Sequence, residues 1–333
     1  MITVRLQSGL GNNLFQYAAA RTVAERNRVS FCYFPLRTPA FYWRQARKQL
    51  PQLLRGKRLP PSKQLSQADV SQYFTLDGDT RWRRFLSRTR WRLKPAAQKT
   101  SFVPARKTVE GKYEYEIFDS RIREVGPWTE LTGSFQSEAY FSGSRDAVRR
   151  WFALSPPYAR VLDALEATIP APPEKRCCLH IRRGDQLFHD KGLAWRDQGW
   201  ALPLEYYRAA AAKLPADTFF VVVTDSPDYA EAALDFLPNK LVMRDNSEAI
   251  DLHLFSRCCY NIIANSTFSW WGAWLNAMPD RVVIAPEYHM GWSRRLWVPW
   301  AFEHHPEDWI YLDVLDLVAD APSAAEQRTD HAC

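Results

Sequence analysis

The chain has 333 residues, 46% of them hydrophobic, and a formal net charge of +7 from 44 Lys and Arg against 37 Asp and Glu. That length supports two domains with cores of their own. No apolar run reaches the roughly eighteen residues of a membrane-spanning helix and no signal-peptide pattern opens the chain, so a spanning or exported protein is not expected.

The first elements in chain order read as a βαβ unit. Ile2 to Leu6 is a predicted strand, Gly9-Leu10-Gly11-Asn12 a tight turn, Leu14 to Arg26 a helix and Val29 to Phe34 the next strand. It makes a poor dinucleotide fingerprint. The third glycine would fall at Leu14, and no acid ends the second strand to hold a ribose. Gly11 permits close backbone approach, while Asn12, Asn13 and Gln16 offer neutral donors and acceptors of the kind that suit sugar hydroxyls.

A basic stretch follows. From Arg37 to Lys107 there are 18 Lys and Arg and three acids, a net of +15 that leaves −8 for the rest of the chain. Within it, Arg81-Trp82-Arg83-Arg84-Phe85-Leu86 and Arg88 to Lys94 interleave arginine with aromatic and aliphatic residues. Such a segment suits an anionic membrane surface, or forms a solvated helical face. Nucleic acid is not expected as a partner, because no recognition motif accompanies the charge.

Past Ser155-Pro156-Pro157, near which a hinge is expected, strands and helices alternate. Predicted strands cover Arg176 to Ile181, Phe219 to Thr224, Lys240 to Met243, Tyr260 to Ala264 and Arg281 to Ala285. Helices are expected near Pro203 to Lys213, Pro227 to Leu237 and Glu248 to Cys258. This alternation is the pattern of a doubly wound parallel sheet.

Three of those strands end in ligand chemistry. The first runs into Arg182-Arg183-Gly184-Asp185, and guanidinium forks match phosphate oxygens in a bidentate way. Adjacent extended residues point to opposite sides, so one arginine can face a ligand while the other ties down the loop, with Asp185 as the expected partner. His180, just inside the strand, reads first as a structural histidine. The second strand ends at Asp225, a ribose or base acceptor or a helix cap. The third breaks into Asn265-Ser266-Thr267 and opens an amphipathic helix carrying three tryptophans. Free N–H groups there, with the Ser266, Thr267 and Ser269 hydroxyls, would cradle a phosphate, the plainer role of Ser266 or Thr267 being a helix cap.

These blocks resemble the α-1,2-fucosyltransferases of glycosyltransferase family 11. The resemblance rests on Gly9 to Asn12 with Phe15-Gln16-Tyr17-Ala18, on His180 to Asp185, on Phe219 to Asp225 and on the long run Asn261 to Asn276. It implies an α/β fold of the GT-B type, two Rossmann-like domains facing a central cleft. It further implies GDP-L-fucose as donor, a terminal galactoside as acceptor, inversion at the anomeric carbon, no metal and no further cofactor. The implied donor set is His180, Arg182, Arg183, Asp225, Asn265, Ser266, Thr267 and Ser269, and the acceptor side Gly11, Asn12, Asn13 and Gln16. Related 1,6-linking enzymes carry a carboxylate at the offset of Asp190, making Asp190 the expected base beside Arg182, with Asp185 and His189 as rivals. Ser8, Asn13 and Gln186 depart from the family pattern.

The expected layout is an acceptor-side domain over 1–155 with a basic insertion at about 37–107, a donor domain over 156–305, and a tail over 306–333. That tail is expected to cross back to the first domain before a disordered end. Two adjacent cysteine pairs in apolar segments, Cys177-Cys178 and Cys258-Cys259, fit a reducing compartment. A cytoplasmic enzyme, peripheral at the inner membrane through its basic segment, is expected. Two other readings compete. Asp77-Gly78-Asp79, after a strand-like Tyr73 to Leu76, matches the Asp-x-Asp of metal-dependent transferases. A non-catalytic GDP-sugar or glycan binder would keep the same motifs.

Overall fold

In the computed structural model the described residues are 1–35, 70–78, 80–109, 113–188, 199–289, 292–295, 306 and 308–319. They separate into two compact units. The first is built from Met1–Leu165 with Ser247–Leu252, the second mainly from Glu166–Asn246 and the chain from His253.

In the first unit, β1 (Ile2–Leu6) leads into α1 (Leu10–Arg26) and β2 (Phe31–Pro35). The helix starts four residues earlier than expected. Gly9 is its N-cap in extended backbone, and the left-handed turn before it falls on Ser8, at φ 68°, rather than on a glycine. Its Ala18-Ala19-Ala20 run is buried, letting the helix lie close on the sheet. After α2 (Val70–Tyr73) the chain makes a 3-10 turn at Leu76–Gly78, so the strand expected over Tyr73 to Leu76 does not form. Asp77 sits there near Arg150, 3.8 Å from its Nε, while Asp79 lies outside the described residues.

The basic stretch supplies α3 (Arg81–Leu93), capped by the Thr80 hydroxyl, and then β3 (Thr100–Phe102). Beyond the antiparallel hairpin β4 (Arg106–Val109) and β5 (Tyr113–Glu116) comes β6 (Thr129–Leu131). The main sheet is parallel in the order β2-β1-β6-β3, so part of the presumed insertion is a strand of the fold. Helices α4 (Arg145–Trp151) and α5 (Pro156–Glu166) follow.

The second unit alternates β7 (Arg176–Ile181), α6 (Leu204–Ala211), β8 (Phe219–Thr224), α7 (Pro227–Ala233) and β9 (Lys240–Val242). After α8 (Glu248–Leu254), most of which groups with the first unit, it continues through β10 (Tyr260–Ile262), α9 (Thr267–Leu275), β11 (Val282–Pro286), β12 (Ile310–Leu312) and α10 (Val314–Ala319). All six strands are parallel, in the order β12-β11-β10-β7-β8-β9, the doubly wound order of dinucleotide-binding sheets. The described tail residues 308–319 therefore stay with this unit. Its Ile310 pairs with Ile284, and Val314 is fully buried in this unit's core.

Both faces of this sheet are covered, which is why β7 and β8 read as continuous apolar runs. Cys177, Leu179 and Ile181 join Tyr206, Tyr207 and Phe220 in one core layer. The Tyr206 hydroxyl, wholly buried, donates to the Ile263 carbonyl at 2.7 Å and so ties α6 to the end of β10. On α9 the residues from Ser269 to Leu275 are all buried, so the helix is a core helix rather than an amphipathic one. The Trp270 and Trp274 rings stack 6.1 Å apart. The cysteines among the described residues are free thiols, and all are buried.

Candidate active site

A doubly wound sheet leaves a crevice where its winding reverses. In the second unit that point lies between β7 and β10, because the chain runs from β7 outward through β8 and β9 and then returns to the other side. The carboxyl end of β7 is Arg182-Arg183-Gly184, and that of β10 is Asn265-Ser266 with the start of α9. The two motifs are thus loops on neighbouring strands.

The arginine loop is held by Asp225, at the end of β8. Its Oδ1 accepts the Arg183 N–H at 3.0 Å, and its Oδ2 lies 2.8 Å from Arg182 Nη1 as an ion pair without hydrogen-bond alignment. Asp225 therefore anchors the loop. The Asp185 side chain lies outside the described part. Gly184 is needed for this approach, since an added Cβ would stand 2.5 Å from Asp225 Oδ2. The Arg183 guanidinium lies on the Tyr229 ring, 3.5 Å from its centroid, a cation–π contact that orients it without neutralising it. Asp225 does not cap α7; Ser226 occupies that position, and its hydroxyl lies 3.2 Å from Asp225 Oδ1.

On the β10 side, Ser266 is the N-cap of α9, its hydroxyl accepting the Phe268 N–H at 3.3 Å. Thr267, partly exposed, opens the helix. The first turn carries no acid, so the positive end of the helix stays uncompensated. Ser269 is different. It is wholly buried, and its hydroxyl donates to the Ala264 and Ser266 carbonyls at 3.2 Å. Asn265 is also buried and structural. Its Nδ2 donates to the Trp200 carbonyl at 2.9 Å, and its own carbonyl accepts from Gln186 Nε2 at 3.1 Å. That last bond links the two phosphate-type loops directly. Gln186, a departure from the family pattern, was not expected to have a role, and neither was Tyr229.

His180 is buried against the Phe268 ring, 5.4 Å between centroids, and its Nδ1 has no hydrogen-bond partner. Burial, with the nearby Arg182 charge adding to it, pushes its pKa down to about 3, so the imidazole is neutral. It packs behind the arginine loop as a neutral ring. The two ends of the long Asn261 to Asn276 block meet as well. Asn276 Nδ2 lies 2.9 Å from Asn261 Oδ1, both wholly buried, so this amide pair fastens β10 to the end of α9.

The first unit has its own reversal point, between β1 and β6. Asn12 Oδ1 accepts from Gln136 Nε2 at 2.6 Å, joining the start of α1 to the loop after β6. Gln16 Oε1 is taken by the Gln7 N–H at 2.7 Å, which closes the β1–α1 turn and leaves Gln16 buried. The buried Oδ1 of Asn13 has no partner. Gly11 lies buried in the first turn of α1. On the β6 side, Glu116 Oε2 accepts the Ser134 and Phe135 N–H groups and fixes the loop. His189 and Asp190 lie outside the described residues.

Two Rossmann-like α/β units, one presenting paired arginines and a helix N-terminus at its winding reversal, define a glycosyltransferase of the GT-B class. A family model described as Glycosyl transferase family 11 matches residues 112–312, and the chain belongs to that family. An O-antigen biosynthesis glycosyltransferase, WbnK of Escherichia coli, is 30% identical over 295 residues, 84% of this chain and 92% of that one. An α-1,2-colitosyltransferase of Escherichia coli is 27% identical over 211 residues, 61% and 69% of the two chains. Among solved structures, fucosyltransferase NodZ from Bradyrhizobium aligns over 82% of this chain and 92% of its own, with 16% identity and a TM-score of 0.44.

Proposed function

We propose that this enzyme transfers L-fucose from GDP-L-fucose to the 2-hydroxyl of a terminal galactoside, on a free glycan or a lipid-linked oligosaccharide. The transfer inverts the anomeric carbon and needs no metal. The observation that carries this reading is the junction of β7 and β10, where Arg183 and the first turn of α9 supply positive charge to one crevice. A leaving nucleoside diphosphate is what such a crevice stabilises as the glycosidic bond breaks. Asp225 holds Arg182 at the crevice, and neutral His180 adds no charge behind it. The acceptor hydroxyl must lose its proton as the anomeric carbon is attacked, and Asp190 is the base in this reading. Asp190→Asn should lower kcat by about a hundredfold or more; a loss under about tenfold would remove that role.

The name of the colitosyl-transferring relative favours a second reading, in which the same site takes another GDP-deoxysugar. Titration calorimetry with GDP, UDP, CMP and ADP in EDTA, followed by transfer assays to terminal β-galactosides, separates the readings. Selective GDP binding with fucosyl transfer supports the first, and GDP binding with transfer from a different GDP-sugar supports the second. A preference for UDP that requires Mn²⁺ would overturn both.

A further inference from the structure

The helix α3 carries an exposed apolar face on which none of the site residues named above lies. Of the seven exposed large apolar side chains among the described residues, four lie on its thirteen positions: Trp82 at 69% exposure, Phe85 at 56%, Leu86 at 59% and Leu93 at 78%. At 3.6 residues per turn, Trp82, Leu86 and Leu93 fall on one line, with Phe85 beside them. The Trp82 and Phe85 rings stack 5.5 Å apart, forming one aromatic plate at the helix start.

The opposite side of α3 is the one that holds it to the fold. Trp91 is buried with Met1 and Cys32, and its ring stacks on Trp128 at 6.2 Å. Arg84 is buried over Tyr33, and Arg88 Nε donates to the Tyr33 carbonyl at 3.1 Å. The helix arginines therefore divide into two classes that the sequence alone does not separate. Arg84 and Arg88 dock the helix, while Arg83, Arg90 and Arg92 are exposed and flank the apolar line, Arg90 with its guanidinium also 5.6 Å from the Trp128 ring centroid. No acid occurs between Arg81 and Lys94.

We propose that this face lies on an anionic lipid surface, with Trp82, Phe85, Leu86 and Leu93 entering the headgroup boundary and Arg83, Arg90 and Arg92 pairing with lipid phosphates. An apolar ridge bordered by guanidinium groups has the complementarity of such an interface, where each side chain meets a matching layer. The neighbouring basic stretch is not its occupant. Residues 37–69 carry eight Lys and Arg and one acid, so that stretch repels the face. A second copy would set one arginine border against another.

The test is sedimentation of the full chain with vesicles of phosphatidylcholine alone and with one-third phosphatidylglycerol, at moderate and high salt. Binding is expected only with the anionic lipid and only at moderate salt. Each arginine strengthens such partition about fivefold, so Arg83→Gln, Arg90→Gln and Arg92→Gln together should weaken it about a hundredfold. Trp82→Ser, Leu86→Ser and Leu93→Ser together should weaken it at least about tenfold while leaving the melting temperature in place, because none of the three is buried. Equal binding to both vesicle types, unchanged binding of either triple variant, or binding of polyanions such as RNA without vesicles would overturn the proposal. The readout needs no turnover, so it stands or falls apart from the fucosyl reading.

Discussion

The two sheet reversals differ in the chemistry they display. In the second unit the loops after β7 and β10 bring Arg182, Arg183 and an uncompensated helix start, with Asp225 as the anchoring acid. In the first unit the equivalent loops bring Asn12 and Gln136, joined amide to amide. One parallel architecture thus makes a cationic end and a neutral one through the residues set in two loops. The lesson is that a crevice at a reversal is a place for a ligand, and its side chains choose between a diphosphate and a hydroxyl-rich sugar.

That contrast breaks most sharply at the arginines. Arg183→Ala should weaken GDP binding about a hundredfold, since hydrogen bonds to a charged group contribute about 1.5–3 kcal/mol, and calorimetry reads the loss directly. An unchanged affinity would place the diphosphate elsewhere. Gly184→Ala tests whether the anchor matters as much as the charge. Its Cβ must displace Asp225, and a misplaced arginine loop should lower kcat/KM by about tenfold to a hundredfold with both arginines still present. The neutral end should respond differently. Asn12→Ala should raise the acceptor KM about fivefold, the worth of one neutral hydrogen bond, and leave GDP affinity alone. A fall in GDP affinity there would erase the distinction between the two ends.

A smaller effect separates packing from chemistry behind the cationic crevice. His180 and His289 are both buried, and burial pushes each pKa down to about 3. The unfolded chain binds these protons first, so their stabilising contribution is complete above about pH 6.5 and is lost as pH falls towards 3. At pH 5.5 each should have cost on the order of 1 kcal/mol, readable as a lower urea midpoint than at pH 7.5. His180→Leu should halve that pH dependence. If it removes GDP binding while stability holds, His180 belongs to the ligand site after all.

The second unit was largely legible in the sequence because strands covered on both faces leave apolar runs, and β7 and β8 end where those runs end. What the sequence hid were contacts between distant segments. Nothing in Ser269 distinguishes a buried hydroxyl bound to carbonyls from one facing a phosphate. Nothing near Arg182 points to a carboxylate 43 residues away. The start of α1 was misread because glycines suggested a turn, whereas the left-handed residue is Ser8. The tail was misread because a three-residue strand at a sheet edge, Ile310–Leu312, has too little pattern to announce its partner.

The Trp200 backbone carries one more consequence. Its N–H reaches the Gln186 carbonyl at 3.0 Å, and its carbonyl receives both Asn265 Nδ2 and Trp292 Nε1. Gly199, at φ 59°, permits this knot, because a Cβ there would collide with the Gln186 carbonyl. The two ends of the excursion from Gln186 to Trp200 are thus stapled together by the fold itself. For protein engineering that pair of residues is a natural splice boundary. Segments from other family members can be exchanged inside it, with the carboxylate of Asp190 kept, while the arginines stay anchored on Asp225.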